Sequence, residues 1–152
     1  MTRRLLLAAT FLLPLPAAAQ LAPGFWSFPD RPNLPRDELA TLCATGFSLV
    51  HEDGTVQSFL PVPWGETQVL WQDAEMACQD TGDGTGLCEG WVDDGPGPEA
   101  RRNRHVARTE GNALRLETRV EGHDGAPFVT YPQPCPGEGV RAALALGLAP
   151  RS

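Results

Sequence analysis

Four cysteines, Cys43, Cys78, Cys88 and Cys135, narrow the folds open to this chain more than any other feature. They contain no C-x-x-C redox pair and none of the close paired spacings of a zinc site, so an even set of this kind reads as two structural disulfides. Three pairings are open to four cysteines, and local geometry favours one. Cys78 and Cys88 are symmetric about Asp83 in the run Cys78-Gln-Asp-Thr-Gly-Asp-Gly-Thr-Gly-Leu-Cys88. A hairpin with Gly82-Asp83-Gly84 as its three-residue loop places the two side chains opposite each other. Cys43 and Cys135 then pair and tie an early helix to the C-terminal segment. In the chain-entropy picture the short loop is worth about 3 kcal/mol and the long one about 4.5 kcal/mol.

Disulfides require an oxidising compartment, and the N-terminus supplies a route to one. Arg3 and Arg4 form a positive start, residues 5–15 a short apolar stretch, and Ala17-Ala18-Ala19 a small-residue cleavage site before Gln20. The apolar stretch falls well short of the roughly 20 residues a membrane-spanning helix needs, and Pro14 and Pro16 interrupt it. The expectation is a cleaved signal peptide over residues 1–19, a single disulfide-stabilised β-rich domain over 20–152, and a periplasmic or secreted location. No later stretch is long enough to span a bilayer, so no membrane association is expected after cleavage. Cleavage leaves 133 of the 152 residues, with 19 acidic side chains against ten arginines and no lysine, a formal charge of −9 in place of −7. That balance argues against nucleic acid and against general binding to anionic lipid, because the phosphate-driven attraction needs net positive charge on the protein.

The hydrophobic period changes along the chain. Pro35 opens a helix whose first turn carries Asp37 and Glu38 at the positive end of the dipole, and Gly46 stops it. Leu39, Leu42 and Cys43 share its apolar face. Residues 47–51 then alternate with period two, and Asp53-Gly54 reads as a two-residue hairpin turn. That turn sets Phe47 opposite Leu60, Leu49 opposite Ser58 and His51 opposite Val56, and Pro61 and Pro63 end the hairpin. Further strands are expected over 69–78 and through Cys88. With Cys78 opposite Cys88, Met76 faces Gly90 and Ala74 faces Val92, which puts the bridge on an apolar face. Strands over 103–109 and 113–120 join through Glu110-Gly111-Asn112, a last strand covers 127–131, and a short helix spans 140–148. A short edge strand is expected near the N-terminus, ending at Pro29. The sum is a β-dominated α+β fold, an antiparallel β-meander curled as a half-barrel or small barrel, with one N-terminal and one short C-terminal helix.

Six of the ten arginines outside the leader lie between residues 101 and 119. Either two-residue turn, at Glu110-Gly111 or Gly111-Asn112, puts Arg104, Arg108, Arg115 and Arg119 on one sheet face with Val106 and Glu117. Guanidinium groups in such an array suit a carboxylate, phosphate or acidic partner, hence a protein or anionic envelope component. The competing meaning is a solvated outer face. The aromatics Phe25, Trp26, Phe28, Phe59, Trp64, Trp71, Trp91 and Tyr131 either line an apolar ligand pocket in the curved sheet or form its core. Asp80-Thr-Gly-Asp83-Gly matches a hairpin turn better than a calcium loop, since it lacks the spaced acids and closing glutamate of an EF-hand. His51, His105 and His123 have no metal-ligand spacing, no Gly-x-Ser-x-Gly elbow surrounds a serine, and no carboxylate pair is placed for acid–base work. No metal, cofactor or catalytic residue is therefore assigned.

Pro23-Gly24-Phe25-Trp26 at the start, an early Cys43, the central pair Cys78 and Cys88, and a terminal Cys135 resemble a group of small exported Gram-negative proteins of unknown function. The resemblance implies export and a disulfide-stapled β-domain, and no reaction. The functional expectation is a non-enzymatic periplasmic binding module that uses the arginine face. The alternative is a small-ligand carrier with an apolar pocket in the sheet, and a hydrolase with unrecognised carboxylates is a minor third.

Overall fold

A computed structural model describes residues 21–82, 85–95, 102–110, 115–122 and 124–152. The expected signal peptide over residues 1–19, the expected turns at Asp83-Gly84 and Gly111-Asn112, and Arg101 and His123 lie outside the described residues. Nine strands form one antiparallel sheet: β1 (Gly24–Ser27), β2 (Phe47–Val50), β3 (Thr55–Trp64), β4 (Thr67–Asp80), β5 (Thr85–Asp93), β6 (Arg102–Glu110), β7 (Arg115–Val120), β8 (Phe128–Thr130) and β9 (Gln133–Pro134). Helix α1 (Arg36–Thr45) precedes β2, and helix α2 (Arg141–Ala145) follows β9. The sheet order is β8-β7-β6-β5-β4-β3-β2-β1-β9, a meander whose last strand returns beside the first. The expected N-terminal strand is therefore one place in from the edge.

That order forces the curl. β8 and β9 lie at opposite margins of the sheet, yet only Tyr131 and Pro132 separate them in the chain. Three residue steps span at most about 11 Å, so a flat nine-stranded sheet is impossible and the margins must approach. The Tyr131 N–H donates to the Pro29 carbonyl at 2.8 Å, which fastens the crossing segment beside the end of β1. The result is a half-barrel with a concave inner face and a convex outer one. At Gly90, across from Met76, the β4 and β5 backbones approach so closely that a Cβ would lie 2.0 Å from the Glu75 carbonyl oxygen. Only glycine fits there.

Both disulfides have the expected connectivity, Cys43–Cys135 and Cys78–Cys88. Cys78 faces Cys88, Met76 faces Gly90 and Ala74 faces Val92 in the β4–β5 ladder, as the symmetry about Asp83 required. The first hairpin differs from expectation by one residue. Phe47 pairs with Phe59, Leu49 with Gln57 and Val50 with Val56, because the turn holds three residues, Glu52-Asp53-Gly54, between His51 and Thr55. Gly54 takes φ +83°, the left-handed conformation that closes a three-residue loop, and the Cys78 N–H donates to its carbonyl at 2.9 Å.

Pro61 and Pro63, expected to end that hairpin, do not end its second strand. β3 runs through them to Trp64 and pairs with β4 out to Thr67 around a Gly65-Glu66 turn. The two prolines have the same parity, and β2 stops opposite Phe59. The missing N–H groups therefore face an edge with no partner strand, where proline costs no ladder bond. The C-terminal helix is shorter than expected, covering Arg141–Ala145.

The helices cover the outer face over β1–β3. Leu39 and Cys43 of α1, Phe47 of β2, and Val140 and Ala143 beside the C-terminal bridge make a buried cluster with Phe25, Leu34, Phe59, Leu70 and Leu148 around it. Phe47 stands edge-on to Phe25, with ring centroids 5.4 Å apart, and stacks on Phe59 at 5.6 Å. The chain end is pinned to the same face. The Arg151 N–H donates to His51 Nδ1 at 2.9 Å, so Nε2 carries the ring proton and donates to Gln57 Oε1 at 2.8 Å. His51 is thus a buried, hydrogen-bonded histidine. The two disulfides fit extracellular or periplasmic surroundings, and no described helix is long and apolar enough to cross a membrane.

Candidate functional site

Strand alternation gives the two faces different compositions. The inner face carries Ser48 and Val50 (β2), Val56 and Ser58 (β3), Ala74, Met76 and Cys78 (β4), Gly86, Cys88 and Val92 (β5), His105 and Ala107 (β6), and Leu116 and Thr118 (β7). Most of these side chains are small, and a curled sheet lined by small side chains does not fill itself. A cavity of about 50 Å³ remains between Val50, Val56, Met76, the Cys78–Cys88 bridge, Ala107 and Leu116, with Leu21 and Phe28 across it. Beside it a wider trough of about 300 Å³ is lined by Val56, Met76, Val92 and Leu116 and rimmed by Phe28 and Phe128. The two share Phe28, Val56, Met76 and Leu116. Phe28 is the one residue of the expected aromatic set that lines either. Phe25 and Phe59 pack in the helix-covered core, Trp64 is 73% exposed at the β3–β4 turn, and Trp91 lies on the outer face beneath Arg102.

Polar groups enter the trough at a few places. Ser48 and Ser58 bond to each other at 2.7 Å and satisfy one another. Thr118 and His105 line the trough wall, and burial pushes the His105 imidazolium to lower pKa, since a desolvated ring resists charging. Asp73 arrives through a register shift. Ser58 faces Ala74 whereas Phe59 faces Gln72, which leaves Asp73 without a partner on β3. Such a β-bulge re-aims its side chain, and Asp73 lines the trough. Partial burial raises its carboxyl pKa, opposed by its own backbone N–H and reinforced by the Asp93 charge. Among the described residues two buried side-chain oxygens lack a hydrogen-bond partner, Asp73 Oδ1 and Thr130 Oγ1, and both line this trough.

The outer face over β5–β7 holds the arginines. Arg104, Arg108, Arg115 and Arg119 share it, as the turn parity required, although the register lies one step beyond either expected turn. Arg108 faces Glu117, Val106 faces Arg119 and Glu110 faces Arg115. Acids interleave with them. Arg104 reaches Glu89 and Glu121, each at 3.2 Å, Arg115 reaches Glu117 at 2.6 Å, and Arg102 bonds Asp93 at 3.0 Å while lying over the Trp91 ring. Arg108 and Arg119 are exposed, with no acidic partner among the described residues. The face is a mixed-charge ladder, with Glu89 and Asp93 supplied by β5, Glu117 by β7 and Glu121 by the residue that follows β7.

Among the described residues no three His, Cys, Asp or Glu side chains cluster as metal ligands would. No known family, curated protein or solved structure matches the chain.

Proposed function

We propose that this protein is an exported, disulfide-stapled binding module that carries a small amphiphilic molecule in the trough of its curled sheet. The observation that carries this reading is the under-filled apolar inner face, open over about 300 Å³ and lined by residues from seven strands. Apolar walls with a few convergent polar groups are the usual form of a small-molecule site. A signal peptide over residues 1–19 and the four-cysteine arrangement support delivery to the periplasm. Titration with the neutral apolar dye phenylnaphthylamine tests the reading. Saturable fluorescence enhancement, lost when Ala74→Leu fills the trough, is expected, and absence of saturable binding by the wild type overturns it.

A second reading rests on Arg108 and Arg119, whose exposed guanidinium groups suit an acidic protein or anionic envelope partner. It requires binding to vesicles containing anionic phospholipid, or to an acidic peptide, that weakens with salt and is abolished by Arg108→Glu with Arg119→Glu. The ion pairs of Arg104 and Arg115 leave that surface less positive than the arginine count suggests, so the trough is the better-supported site.

A further inference from the structure

The trough's own polar groups narrow its ligand to one chemical class, an inference that rests on the trough being a binding site. A buried polar atom without a partner has given up its hydration with no bond in return, and native structures leave few of them. Here the two orphans among the described residues, Asp73 Oδ1 and Thr130 Oγ1, come from β4 and β8, far apart in sheet order, and converge on one apolar trough. An ionised aspartate only accepts hydrogen bonds, and a threonine hydroxyl accepts as well as donates. The missing partner is therefore a donor.

Charge decides which donor. The trough lining contains no arginine, and its remaining titratable side chain is His105, which burial disposes towards the neutral form. Asp93 adds negative potential at Asp73, and the whole chain is acidic. A carboxylate or phosphate head would meet like charge with nothing to offset it, whereas an alcohol brings a single donor. A primary ammonium brings three donors and the opposite charge, which answers both oxygens at once. We propose that the trough binds a primary alkylammonium amphiphile, its chain lying against Val56, Met76 and Leu116 and its head donating to Asp73 Oδ1 and Thr130 Oγ1.

Calorimetric titration at neutral pH with hexylammonium, hexanol and hexanoate, on the wild type, Asp73→Asn and Thr130→Val, tests the assignment. Hexylammonium should bind best, by about ten-fold or more over hexanoate, the difference one charge-assisted hydrogen bond makes. Asp73→Asn should cost hexylammonium about ten-fold and hexanol much less, while phenylnaphthylamine still binding saturably shows that the variant trough is intact. Thr130→Val should give a smaller loss in the same direction. Equal binding of the three probes, or a preference that survives Asp73→Asn, overturns the ammonium assignment and leaves the trough as a site of another specificity. Failure of hexylammonium to bind a protein that binds phenylnaphthylamine also overturns it, and failure of both overturns the trough itself.

Discussion

The two faces of one sheet solve opposite problems. Over β1–β3 the outer face presents Phe25, Phe47 and Phe59 to two helices, and large rings pack on one another and against a cluster with Leu39, Val140 and Ala143. The inner face of β2–β8 presents Ala74, Gly86, Ala107 and a disulfide, and leaves open volume with two unsatisfied oxygens. Both faces use the same alternating backbone. Residue size decides which face packs and which stays open, so stability and ligand capacity are separable here, the first resting on the helix-covered side and the second on the trough.

Opening the Cys43–Cys135 bridge attacks the packed side hardest. The double variant Cys43→Ala with Cys135→Ala should lose about 4 kcal/mol in urea unfolding, because a loop of 92 residues regains its freedom in the unfolded chain. A loss below about 1 kcal/mol would mean that the helices hold without their staple. Phe47→Ala comes next. It deletes a 6% exposed ring between two others, and should cost about 3–4 kcal/mol by the same measurement.

The trough should respond differently. Ala74 is buried yet lines the open trough. Ala74→Leu should therefore cost less than the about 1–3 kcal/mol of overpacking a filled core, while abolishing dye binding. A loss like that of Phe47→Ala would erase the distinction between the faces.

Smaller still are the proton-linked terms of the trough. Burial lowers the His105 pKa in the folded state, so the folded protein holds that proton less tightly than the unfolded chain. Stability should fall as pH drops below about 6.5, and His105→Gln should flatten that slope. Asp73 has the opposite sign. Its raised pKa makes the folded form retain the proton more tightly, so stability falls as pH rises from the ordinary carboxylate value through the raised one. Asp73→Asn should remove that dependence in urea titrations at stepped pH. Smallest is Arg104→Gln, which should leave the urea unfolding midpoint essentially unchanged, because its two acidic partners are exposed and solvent screens the pairs.

Much of this was legible along the chain. The symmetry of Cys78 and Cys88 about Asp83 set the β4–β5 register, and with it which residues share the inner face. The parity of any two-residue turn near Gly111 placed the four arginines together. The positions that escaped share one cause. The three-residue loop at Glu52-Asp53-Gly54, the passage of β3 through Pro61 and Pro63, and the bulge at Asp73 each depend on what lies beside a strand. Local propensity does not report neighbours, so the shift that makes Asp73 a trough residue left no trace in the alternation pattern. The charge of the arginine face escaped for the same reason, since its partners Glu89 and Asp93 belong to a neighbouring strand.

By itself, the order of residues determined an acidic β-meander with an early helix and favoured one pairing of the four cysteines. Tertiary structure alone decided that this face encloses space. The return of β9 beside β1, two residues after β8, draws the sheet margins together, and only the curled sheet brings Asp73 and Thr130 to one trough. Alternation is a property of consecutive residues and can be read from them, whereas closure depends on distances between chain segments far apart in sequence.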